Sequence, residues 1–266
     1  MGCIRKFLAI ISFLALAVLG AAAQDNYEIQ VYGSDTVEPG ATMLEFHTNY
    51  TLNGSTLVEN GVLPTRHAVH ETIEITHGFN DWFETGFYIF TSARSDRGWD
   101  WVGDHIRPRV RVPKKWNWPV GVSVSTEFGY VRPTYSVDKW SLEIRPIVDK
   151  QLGKVYLAFN PALEKAIIGA NSHHGFEFAP AFKFSYDVTK AVSAGVEYYG
   201  GLGPVLRFDP LAEQEHQIFP TIDLNVSPKW EINFGMGWGL THGTDHLIFK
   251  TIVGRRFDCV FFCNKH

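Results

Sequence analysis

The sequence is poor in the features that mark helical membrane proteins, nucleotide enzymes and nucleic-acid binders. Beyond residue 23 no stretch approaches 18 consecutive apolar residues, which excludes a transmembrane helix. There is no GxSxG, no Walker loop, no GxGxxG between strand and helix, and no H-E-x-x-H, so no familiar catalytic or metal framework is present. A basic surplus is also missing. Without residues 1–23 the chain carries 22 Lys+Arg against 28 Asp+Glu, which excludes nucleic acid as an expected partner. Cysteine and methionine occur three times each. Of the cysteines, Cys259 and Cys263 stand in the last eight residues, leaving two readings open, a tail disulfide or two unpaired thiols.

What is present begins at the N-terminus. Arg5 and Lys6 precede an apolar run, Phe7 to Leu19, broken only by Ser12, and Ala21-Ala22-Ala23 then offers a cleavage site before Gln24. This is the order of a secretory signal peptide over residues 1–23, and the run is short for an anchor. Cys3 lies ahead of the apolar core, which excludes a lipoprotein signal.

Past the leader the apolar period is two, not 3.6. Val120, Val122, Val124, Thr126, Phe128 and Tyr130 alternate with Gly121, Ser123, Ser125, Glu127 and Gly129. Phe176 to Tyr186 and Trp230 to Leu240 repeat the pattern. Each run has ten to twelve residues, whereas an ordinary globular strand has about five or six and a membrane strand about nine to eleven. One face is large and apolar, the other small or charged. Length and face contrast together predict an all-β fold, a transmembrane antiparallel up-and-down β-barrel of about 12 strands in the bacterial outer membrane. The strands fall near 43–51, 69–78, 82–92, 104–112, 120–130, 136–148, 153–160, 175–186, 191–201, 215–226, 230–240 and 245–257. Tight turns, such as 79–82 and 187–191, alternate with longer segments, 52–68, 93–103, 161–174 and 202–214, the asymmetry of periplasmic turns and outer loops.

The expected organisation is a signal peptide (1–23), an N-terminal periplasmic or plug segment (24–42), the barrel (43–257) and a C-terminal tail (258–266). Pro146, Pro180 and Pro220 count against a perfect wall, since each removes a ladder donor. The tryptophans, Trp82, Trp99, Trp101, Trp116, Trp118, Trp140, Trp230 and Trp238, mostly lie near turns or loops, as interfacial girdles require.

The inner phase supplies the candidate functional residues: Glu74, Glu84, Arg107, Arg109, Arg111, Glu127, Glu143, Arg145, Lys183 and Glu197. Glu177, Asp223, Glu231 and Lys250 share that phase. These charges support two readings, a pore with an arginine ladder facing carboxylates or ion pairs that fill a narrow barrel. Most of the histidines (His67, His70, His105, His173, His174, His216, His242 and His246) fall in or beside outer loops without ligand spacing, so neither metal nor cofactor is expected. Glu45, His47 and Asn49 share one face of the first strand, but no serine stands beside them and their phase is the lumen's. A lipid-modifying enzyme is therefore the weakest reading.

Tyr27-Glu28-Ile29-Gln30-Val31-Tyr32 and Val37-Glu38-Pro39-Gly40-Ala41-Thr42-Met43-Leu44-Glu45-Phe46-His47 resemble the opening of outer-membrane proteins related to the group labelled putative MetA-pathway of phenol degradation. That resemblance implies a transporter-like barrel passing small, aromatic or apolar compounds, and it carries no catalytic motif. The expected partners are the lipid bilayer, the outer-membrane assembly machinery and small solutes. The functional expectation is a passive channel, with a non-conducting structural or surface-binding barrel as the alternative.

Overall fold

The computed structural model describes residues 26–258, so the leader, its cleavage site and the Cys259/Cys263 tail lie outside the described residues. Twelve strands follow in chain order: β1 (Ala41–Asn53), β2 (Val69–Asn80), β3 (Phe83–Arg94), β4 (Gly98–Arg111), β5 (Gly121–Val131), β6 (Asp138–Leu152), β7 (Val155–Gly169), β8 (Glu177–Asp187), β9 (Val192–Gly201), β10 (Glu215–Leu224), β11 (Trp230–Gly239) and β12 (Leu247–Asp258). Each pairs antiparallel with its sequence neighbours, and β12 closes on β1 from Ala41↔Asp258 to Asn53↔Leu247. Closure leaves no edge strand, so the wall meets hydrocarbon without unpaired backbone.

The wall is apolar on the outside. Phe46, Phe87, Ile106, Phe128, Phe159, Phe182, Phe234 and Phe249 are exposed, while their strand neighbours on the other phase are buried or half-buried on the lumen side. A soluble barrel has the reverse polarity; this one lies in a bilayer, in the manner of bacterial outer-membrane barrels. Two aromatic girdles bound the belt. At the turn end stand Phe79, Trp82, Trp116, Trp118 and Trp230, and at the loop end Trp99, Trp101, Trp140 and Trp238. Neighbouring girdle rings touch, as in Trp101–Tyr130 and Phe128–Trp140, whose centroids are 6.0 and 5.2 Å apart.

Four of the five in-strand prolines coincide with breaks in a ladder, while Pro180 pairs with Pro161 in an unbroken β7–β8 run. Pairing of β4 with β5 lapses between Ile106↔Phe128 and Arg109↔Ser125, around Pro108. It lapses in β6–β7 between Ile144↔Leu163 and Val148↔Phe159, around Pro146 and Pro161. In β10–β11 it lapses between Ile218↔Trp238 and Thr221↔Gly235, around Pro220. The missing N–H groups are thus gathered at local gaps and the register is kept on both sides of each.

Two segments read from sequence as long loops belong largely to the wall. β3 runs to Arg94 and β4 starts at Gly98, so only residues 95–97 connect them, with Gly98 at φ +75° in the turn. β7 likewise runs on to Gly169. Both extensions alternate weakly, because beyond the apolar belt neither face needs to be lipophilic. The long outer connections are 54–68 and 202–214. The first folds over the mouth, where Leu63 N–H donates to the Thr134 carbonyl and Thr65 Oγ1 donates to Asp245 at 2.6 Å.

Candidate functional site

Residues 26–40 run through the inside of the barrel. The direction follows from their partners. Asn26 donates to Asp245 in the outer β11–β12 connection at 2.6 Å. Asp35, nine residues further along, accepts from Arg111 at 2.6 Å, and Arg111 closes β4 at the turn end. The segment therefore descends from the outer mouth to the periplasmic mouth, where β1 begins. Tyr27, Glu28, Ile29, Gln30, Val31, Tyr32, Ser34 and Val37 are all buried.

The segment is not a thirteenth strand. Its backbone is held mainly by side chains of the wall. The Asn160 carboxamide both accepts from Tyr32 N–H at 2.7 Å and donates to the Tyr32 carbonyl at 2.9 Å, imitating one rung of a ladder. Thr72 donates to the Tyr27 carbonyl (2.6 Å), Lys250 to the Ile29 carbonyl (3.0 Å), and Arg109 to the Gly33 carbonyl. Glu84 accepts from Val37 N–H at 2.6 Å. A chain in a lumen must find partners for its buried backbone groups, and here polar inner-phase residues of β2, β3, β4, β7 and β12 supply them.

Packing completes the fill. Ile29 and Val31 meet Ala158, Ala181, Tyr199, Phe219 and Ile248 on one side. Tyr27 meets Tyr88, Phe90, Val102 and Val131 on the other. Inner-phase glycines make the room: a Cβ at Gly237 would lie 2.2 Å from the Phe219 ring, and one at Gly129 2.0 Å from His105. Three guanidinium groups surround the Tyr32 ring, those of Arg107, Arg145 and Arg109, at 5.0, 5.2 and 5.8 Å from its centroid.

The sequence-selected charges fall into separate clusters. Glu74, Glu84, Arg107 and Arg109 form one across β2–β4, with Arg107 2.5 Å from Glu74 and 3.3 Å from Glu84. Lys183 and Glu197 form a second, 3.1 Å apart, and Lys250 and Asp223 join it. Glu143 and Arg145 pair at 2.7 Å, and Arg145 reaches Glu28 of the segment at 3.6 Å. Glu127 meets His105 at 2.5 Å. Arg111 stands apart at the periplasmic mouth with Asp35 and Lys114. Burial there pulls the Asp35 carboxyl upward, but Lys114 and Arg111 outweigh it and hold the group below its usual range. The arginines thus face carboxylates and the segment rather than open water.

Two features escaped sequence reasoning. Lys250 and Asn160 hold the segment, yet only Lys250 was marked as inner-phase, because a lone asparagine carries no signal until its partner's path is known. Glu45, His47 and Glu74 come together on the inner wall, all buried, with one donor atom from each within 4.8 Å of the others. The outer-loop histidines do not converge in this way: His67 bonds Tyr50 and His216 bonds Tyr198.

Space remains at both ends. On the outer side a vestibule is lined by Glu127, Asp138, Glu143, Arg145, Glu164 and Glu177, among others. On the periplasmic side a cavity of about 350 Å³ is lined by Lys183, Asp187, Asp223, Asn225, Glu231 and Arg256, among others.

No protein-family model matches the chain, and no curated protein does. Solved structures do. The chain is similar to the COG4313 outer membrane channel from Pseudomonas putida F1, at 12% identity and TM-score 0.58, covering 86% of this chain and 100% of that one. It is also similar to the KdgM porin, at 9% identity and TM-score 0.52, covering 81% and 99%. At these identities the likeness carries the fold, and the fold shared is that of a closed outer-membrane β-barrel.

Proposed function

We propose that this protein is a passive outer-membrane channel for small solutes and that residues 26–40 are its plug. The observation that carries the reading is how the segment is held. It is bound through side-chain hydrogen bonds and two small apolar clusters, not by a continuous backbone ladder. Such attachments are individually worth about 0.5–1.5 kcal/mol, so the segment can leave while the wall stays intact. The names of two structural neighbours, an outer membrane channel and a porin, support the same reading.

The outer vestibule carries more carboxylates than cations, with Asp138, Glu143, Glu164 and Glu177 against Arg145 and Lys165. That lining favours small polar or cationic solutes over the apolar compounds that the family resemblance implied.

The competing reading is a non-conducting barrel, favoured by the buried pairs Arg107–Glu74 and Lys250–Glu197. Bilayer recordings separate the two. The mature chain should give brief, infrequent openings, and a chain starting at Ala41 should give a larger and persistent conductance. A heat-modifiable barrel starting at Ala41 that stays silent would refute the channel.

A further inference from the structure

The geometry points to a divalent transition-metal site on the lumen wall, formed by Glu45, His47 and Glu74. Glu45 and His47 are two apart on β1 and so share a face. The β1–β2 register sets Glu74 directly opposite Glu45. On the other side Glu45 pairs with Gly254, where a Cβ would lie 2.7 Å from Glu45 Cγ. Glycine therefore leaves the Glu45 side chain room to lie over the wall.

The three residues are built in, and on the sides that face one another the protein supplies only the long His47–Glu74 ion-pair contact of 3.4 Å. Each is at least nine-tenths buried, and His47 and Glu74 are fully so. Glu45 Oε1, Glu74 Oε2 and both ring nitrogens of His47 have no hydrogen-bond partner. The opposite oxygen of Glu74 is saturated: Arg107 donates to Oε1 at 2.5 Å and Thr76 at 2.6 Å. Those bonds aim Oε2 at His47 Nε2, 3.4 Å away. That separation is the edge of a tetrahedron with metal–ligand bonds of about 2.1 Å. Arg107 and Thr76 so act as the orienting partners that ligands of a bound ion usually have.

Charge gives the second reason. Arg107 is shared between Glu74 and Glu84, Arg109 pairs with Glu84, and no Lys or Arg among the described residues forms an ion pair with Glu45. A buried carboxylate without a cation must either take up a proton or bind one. Glu231 stands two strands away, with only Gly254 between it and Glu45, and it opens on the periplasmic cavity. A hydrated cation thus has an acidic route to the site from below. One imidazole with two carboxylates suits Zn²⁺, Co²⁺, Mn²⁺ or Fe²⁺, and the absence of thiolate disfavours Cu⁺. Bound there, the ion would staple β1 to β2 just above the point where the plug joins the wall.

Cobalt(II) is the probe. The folded barrel in detergent, stripped with chelator and dialysed, should take up one Co²⁺ per chain with visible d–d absorption, displaced by Zn²⁺. Glu45→Gln should weaken that binding at least tenfold and His47→Gln should abolish it. Equal uptake and equal bands in wild type and His47→Gln would overturn the site and place the metal at loop histidines or tail thiols. If His47→Gln does not yield a heat-modifiable barrel, X-ray absorption of the wild-type Zn²⁺ complex decides. One imidazole among oxygen neighbours supports the assignment; sulfur or several imidazoles contradicts it.

Discussion

Asn160→Ala isolates the hold of the wall on the plug. The Asn160 carboxamide satisfies both backbone groups of Tyr32 deep in the lumen, through contacts of 2.7 and 2.9 Å. Its loss leaves one N–H and one carbonyl buried without these partners, at about 1–3 kcal/mol each. Allowing for partial relaxation, the sum is between about 2 and 4 kcal/mol, and each 1.4 kcal/mol is a factor of about ten in an equilibrium. The opening equilibrium of the plug should therefore rise between about 30-fold and several hundred-fold. Strand amides should be unaffected, because Asn160 points inward and its own backbone pairing with Ala181 is retained. Hydrogen–deuterium exchange of a peptide spanning residues 27–34 measures this equilibrium, with β10 and β12 peptides as internal controls. Protection of the 27–34 peptide that stays within threefold of wild type would refute the account of how the segment is held. Faster exchange of every strand by the same factor would also refute it, since segment and wall would then open together.

Three further outcomes follow from the same structure. Lys250→Met removes the cation that serves the Ile29 carbonyl and Glu197, and breaking a buried pair costs about 3–5 kcal/mol, so the urea midpoint should fall clearly below wild type. Phe182→Arg puts a charge on the lipid side of β8 and should lower unfolding free energy in vesicles by about 2–4 kcal/mol, with conductance unchanged. The lowered folded-state value of Asp35 stabilises the periplasmic foot of the plug above the carboxyl's ordinary 3.8, and this is lost as pH falls below it. Exchange at residues 33–36, corrected for intrinsic rate, should quicken slightly from pH 5 to pH 3. Asp35→Asn should cancel the difference, and the effect stays small because the Asp35 side chain is 70% exposed.

The wall was legible because its physics is local. A strand between lipid and lumen must alternate, and runs such as Val120–Tyr130 state their inner and outer faces residue by residue. Strand ends beyond the bilayer were not legible, since β4 from Gly98 to Trp101 and β7 beyond Leu163 meet water or loops on both faces. The path of residues 26–40 was legible even less. Glu28 to Tyr32 alternates like a strand, but its partners are Asn160, Lys250 and Thr72, which are scattered through the sequence. Periodicity marks the charged phase as a set, while its division into Glu74/Glu84/Arg107/Arg109 and Lys183/Glu197/Lys250 depends on rotamers that periodicity does not encode. Glu45 and His47 were visible on one face of β1, and Glu74 joined them only once the β1–β2 register was fixed.

The central claim is that one segment closes the lumen and that its departure opens it. A reversible tether tests this most directly. A Cβ at Gly121 would lie 3.1 Å from Ser34 Cβ and 2.0 Å from Asp149 Oδ1, so once the Asp149 side chain turns aside a small outward shift of residue 34 reaches the roughly 3.5–4.5 Å of a disulfide. Ser34→Cys with Gly121→Cys, in a chain whose Cys259 and Cys263 are serine, can therefore bind the foot of the plug to β5. Recorded in one bilayer before and after reductant, this variant should be silent when oxidised and should open when reduced. Equal conductance in the two states, or silence in both from a folded barrel, would contradict the account.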